Sequence, residues 1–150
     1  MPLLNEQDAA FLRKRFAEEL EHPVRLVFFA PSVGGIALPG EDVEMVEYTR
    51  RILKDVTGLS DRVTLEEHSV ASEPEVAAAY GIARTPATAV VGAEDYGVRF
   101  YGMPAGYEFA TLIEVILDVS RGRAPVSAET AAALAALPGD AHLQVFVTPT

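Results

Sequence analysis

AAAYGIARTPATAVV, residues 77–91, decides how the rest of the chain is read. The alanines end a short helix, Gly81 stops it, and Thr85-Pro86 opens a β-branched run suited to a strand. An X-Pro bond is cis in only about 5–6% of cases in folded proteins, so the dipeptide alone does not set its isomer. Its place between a helix end and a strand start is the informative feature.

Working upstream, Ser72 and Glu75 form a capping-box pattern over SEPEVAAAY, with Pro74 in its first turn. Before it, DRVTLEEHSV (61–70) alternates Val63 and Leu65 and predicts a strand. The segment from about Asp42 to Val56 places Met45, Thr49, Ile52, Leu53 and Val56 on one helical face, and Gly58 ends it. VRLVFFA (24–30) is an almost unbroken apolar run, as expected of an internal strand covered on both faces. Residues 6–21 repeat Ala9, Leu12, Phe16 and Leu20 at helical spacing, with Asn5 as N-cap and Pro23 beyond the end.

Downstream, ATAVVGAEDYGVRFYG (87–102) reads as a hairpin turning within Gly92 to Gly97. YEFATLIEVILDVSRG then places Phe109, Leu112, Ile113, Ile116 and Leu117 on a helix face that stops at Gly122. Residues 123–141 read as a linker and a helix capped at Ser127. HLQVFVTPT (142–150) reads as a further strand, one that needs a sheet to join.

The composition narrows the function. Lys+Arg of 12 against Asp+Glu of 22 gives a formal charge of −10, which repels phosphate backbones and anionic membranes, so nucleic acid and membrane are not expected partners. No apolar run is long enough to span a bilayer and no signal peptide is evident, so a cytoplasmic location is expected. There is no cysteine, and thiol–disulfide exchange, nucleophilic thiolate catalysis and thiolate-bound metal all require one.

Other candidate chemistry is thin. Gly34-Gly35 lacks the lysine and Ser/Thr of a phosphate loop, and the helix start beyond it carries Glu41, Asp42 and Glu44. Glu66 and His68 share one face of a strand but have no third ligand signalled nearby. No catalytic residue, metal site or cofactor is therefore expected.

The order strand, helix, strand, short helix, X-Pro, hairpin, helix is that of a thioredoxin-like α/β fold. YGIARTPAT, YGVRFYGMPAGYEFATLIEVILDVSRG and QVFVTPT, in that order, resemble the two-domain glutaredoxin-like protein disulfide oxidoreductases. The resemblance implies a central mixed sheet flanked by helices, with an extra N-terminal helix and a C-terminal helix-strand extension. It divides the chain into a thioredoxin-like domain (1–122), a linker and helix (123–141), and the first strand of a second, truncated domain (142–150). It implies a cis Pro86 and a substrate groove formed by Ala30, Pro31, Ser32, Thr85 and Pro86. The loop after residue 30 is where the family carries Cys-x-x-Cys, and Ser, Gly, Ile, Ala and Leu stand there instead. The expected role is a redox-inactive N-terminal unit in thiol-disulfide exchange, partnered by a second thioredoxin-like domain or a second copy. The alternative is a stand-alone module binding an extended peptide.

Overall fold

The computed structural model describes residues 3–32 and 42–148. Gly34-Gly35, Glu41 and most of the loop that takes the place of Cys-x-x-Cys lie outside these residues, as do Pro149 and Thr150.

The chain begins with α1 (Glu6–Glu19), whose N-cap Asn5 accepts a hydrogen bond from the Asp8 N–H at 2.8 Å. Then follow β1 (Val24–Ala30), α2 (Val43–Thr57), β2 (Val63–Ser69), α3 (Pro74–Ala79), β3 (Ala87–Val91), β4 (Val98–Tyr101), α4 (Tyr107–Arg121) and α5 (Ala128–Ala135). The strands form one sheet in the order β2-β1-β3-β4. β1 runs parallel to β2 and antiparallel to β3, and β3 and β4 make the hairpin. This is the mixed sheet flanked by helices that the element order predicts.

The period-two alternation of β1 divides the core in two. Leu26 and Phe28 face Leu12, Phe16, Leu53, Leu112, Ile116 and Leu117 of α1, α2 and α4. Val27 and Phe29 face the other side, where Ala77 of α3 meets Ala87 and Ala89 of β3. The first face is thick and aliphatic. The second is thin, because a single short helix covers it and small alanines let that helix approach. Gly92, just after β3, is required by a close approach of the same kind: a Cβ there would lie 2.7 Å from the Val119 carbonyl oxygen.

Two local expectations change. On α2 the fully buried face contains Val46, while Met45 is half-buried. The capping box does not form: α3 starts at Pro74 with Glu73 as N-cap and no side-chain cap bond. The Glu73 carboxylate instead accepts from the Ser69 N–H at 3.2 Å, which makes the turn out of β2 the stronger local structure.

The C-terminal region stands apart. α5 is capped by Ser127, which accepts from the Thr130 N–H at 3.1 Å, yet it buries no residue. Residues 142–148 form no strand, and Leu143, Val145, Phe146 and Val147 are 83–88% exposed. Among the described residues the expected strand does not pair with an edge of the sheet.

Candidate functional site

The register gathers the sequence-predicted residues at one end of the sheet. Phe29 lies opposite Ala87 in the antiparallel β1–β3 ladder. Ala30 and Pro86 are therefore one step beyond, at the C-terminal end of β1 and just before β3. Pro31 and Ser32 continue from one strand, and Thr85 precedes the other. Ala30 and Pro86 are buried; Pro31, Ser32 and Thr85 are half-buried. The Thr85–Pro86 peptide bond is cis.

Neighbouring main-chain bonds hold this corner. The Val70 N–H donates to the Ala30 carbonyl at 2.9 Å and the Ala71 N–H to the Pro31 carbonyl at 3.2 Å. The Gly102 N–H, just beyond β4, donates to the Pro86 carbonyl at 2.9 Å. Among the described residues the Thr85 main chain makes no hydrogen bond. Its N–H and C=O are thus the polar groups an extended segment could pair with, as a strand pairs with a sheet edge.

Beside this corner the thin face of the sheet carries a charged cluster. His68 of β2 stacks on Phe29, with ring centroids 5.6 Å apart. Its Nε2 lies 2.6 Å from Glu66 Oε1 and its Nδ1 3.0 Å from Glu73 Oε1. Arg25 pairs with the other Glu66 oxygen at 3.2 Å. Burial disfavours the charged ring, but the bonds to Glu66 and Glu73 outweigh it and raise the His68 pKa. Conversely, the bond to His68 comes first, then the Ser69 N–H, in holding the Glu73 carboxyl below its ordinary value. The sequence showed Glu66 and His68 on one face. It did not show Glu73, which arrives from five residues on through the tight turn into α3.

A second contact was also missed. The Arg84 guanidinium lies over the Tyr101 ring, 4.7 Å from its centroid. Arg84 adjoins Thr85 in the chain, while Tyr101 is placed opposite Ala87 by the hairpin register. Among the described residues no group of His, Asp and Glu side chains is arranged to hold a metal, and no helix is long and apolar enough to cross a membrane.

The comparisons with known proteins agree with this fold. No protein-family model matches the chain. The alkyl hydroperoxide reductase AhpF of Staphylococcus aureus is 32% identical over 117 residues, covering 77% of this chain and 20% of that protein. Among solved structures, the NTD_N/C domain of the alkylhydroperoxide reductase AhpF from Enterococcus faecalis superposes with a TM-score of 0.74 at 25% identity. That match covers 90% of this chain and 61% of the other. A protein disulfide oxidoreductase from Aeropyrum pernix gives a TM-score of 0.72 at 26% identity, covering 90% and 56%. The chain spans about one fifth of the curated relatives it matches. It is a homologue of the N-terminal domain of AhpF and of protein disulfide oxidoreductase, with their thioredoxin-like fold and without a cysteine.

Proposed function

We propose that this chain is a redox-inactive thioredoxin-like unit that serves thiol–disulfide exchange by binding an extended segment rather than by reacting with it. The observation that carries this reading is the union of two facts. The sheet ends of a thioredoxin-like fold converge on Thr85–Pro86 with the Thr85 main chain unengaged among the described residues, and the sequence contains no cysteine. Thiolate attack and mixed-disulfide formation need a sulfur atom that this chain does not supply. What its corner offers is main-chain pairing from Thr85 and a wall formed by Ala30, Pro31 and Ser32.

In this reading the thiols belong to a partner unit, a second thioredoxin-like domain or another chain, and the unit acts beside it in the cytoplasm. The names of its homologues, a hydroperoxide reductase and a disulfide oxidoreductase, support a redox setting. The exposed apolar stretch 142–148 supports a covalent or non-covalent neighbour, since surface of this kind is costly to leave in water. The second reading, a stand-alone peptide-binding module, rests on the same groove and differs only in the absence of a thiol-bearing neighbour.

Insulin reduction driven by dithiothreitol tests the inactive role. The chain is expected to give the rate of the reductant alone. Turnover above that blank would overturn the reading.

A further inference from the structure

Arg84 is out of step with the other cations of the chain. The rest of the lysines and arginines each meet a carboxylate or a main-chain carbonyl, or are otherwise engaged. Arg84 meets neither a carboxylate nor a carbonyl among the described residues. It is exposed, and what holds it is the face of Tyr101. A ring contact of this type orients a guanidinium while leaving its N–H groups free to donate in the ring plane.

The sequence around it is equally unusual for so acidic a protein. From Val76 to Tyr107 the only carboxylates are Glu94 and Asp95. Both belong to the hairpin turn between β3 and β4, at the end of β3 opposite Pro86. Asp95 is already bound to Arg99 at 2.6 Å. The chain thus carries a net charge of −10, yet the carboxylates beside this corner, Glu66 and Glu73, are already held by His68 and Arg25, while Arg84, next to Thr85 in the chain, meets no carboxylate among the described residues. The net charge of the chain repels an acidic ligand as a whole. At this corner it meets a donor.

We infer that Arg84, held over Tyr101, selects an extended partner segment bearing a carboxylate side chain next to the stretch that pairs with Thr85. The inference rests on the groove reading above and gives that groove its specificity. The main chain of Thr85 supplies affinity without regard to sequence, and Arg84 supplies the preference for acid by a charge-assisted, two-pronged hydrogen bond.

The test uses two labelled nine-residue peptides, Gly-Ser-Thr-Val-Glu-Val-Thr-Ser-Gly and its counterpart with Gln in place of Glu, followed by fluorescence anisotropy at low salt. The acidic peptide is expected to bind about threefold tighter, the scale of one solvent-exposed ion pair. Arg84→Gln should erase the difference, and Arg84→Glu should reverse it. Thermal melts of both variants should match the parent, because the side chain is exposed. Equal binding of the two peptides, or a preference that survives Arg84→Gln, overturns the role of Arg84 and leaves the groove standing. Failure of both peptides to bind removes the groove itself, and the proposal with it.

Discussion

Ser120→Ala is expected to destabilise the protein by about 3 kcal/mol, lowering the thermal midpoint by roughly 10 °C. Ser120 lies in the last turn of α4 and is 1% exposed. Its Oγ accepts from the Glu21 and His22 N–H groups, each at 2.9 Å, and donates to the His22 carbonyl at 2.6 Å. A hydroxyl has one proton and two lone pairs, so its full capacity is spent on the turn that carries the chain from α1 into β1. Removing it leaves two donors and one acceptor without partners in a part-buried turn, where each orphaned group costs about 1–3 kcal/mol before water relieves some of it. Thr111→Ala on the exposed side of the same helix is the control, expected within about 0.5 kcal/mol of the parent. Urea unfolding of both variants measures this. A Ser120→Ala protein as stable as the control would mean that the α1–β1 turn is held by packing alone.

Stability should also fall as pH rises above the ordinary histidine range, through His68. The two carboxylates bonded to this ring favour its proton, Glu66 on its own strand, which Arg25 also pairs, and Glu73 ahead of α3, while Phe29 of β1 supplies an apolar face. A neutral imidazole donates one hydrogen bond and the imidazolium donates two, so only the charged ring satisfies both carboxylates. Its pKa in the folded protein is accordingly raised above the ordinary value of 6.5. The folded state therefore binds this proton more tightly than the unfolded chain. The resulting stabilisation is complete below pH 6.5 and is lost as pH rises through the higher folded value. Glu73 works in the opposite sense: its contribution is present above its ordinary value of 4.5 and is lost on acidification. The two windows are separate, so unfolding followed from pH 6 to 9 isolates the histidine. The parent should lose stability across that range and His68→Gln should not. Parallel curves would show that the ring is neutral in the folded state.

What could be read from the sequence is what local chemistry determines. The apolar run of β1, the Asn5 and Ser127 caps, the stop at Gly122 and the hairpin around Gly92 to Gly97 each follow from a few neighbouring residues, and each recurs in the structure. The corner at Ala30 and Pro86 could be reached only through the resemblance, because strand pairing across more than fifty residues is not written in either segment alone. Glu73 was hidden for a different reason. The capping pattern of Ser72 and Glu75 is a sound local signal, but the Ser69 and His68 groups compete for the turn, and Glu73 serves both. Arg84 was overlooked because its ring partner lies on another strand, brought near only by the hairpin register. The stretch 142–148 reads as a strand by composition and stays unpaired, since a strand exists only where a neighbour offers main-chain partners.

In the proposed function, the corner at Thr85–Pro86 binds extended chain in a unit that has no thiol of its own. Backbone-amide chemical shifts, recorded while the acidic nine-residue peptide is titrated into the chain, test it most directly. Movements are expected to concentrate at Thr85 and Ala87 and at Ala30 and Ser32, with the outer edge of β4, α5 and residues 142–148 unchanged. Movements confined to that outer edge or to the C-terminal stretch, or none at saturating peptide, would contradict it.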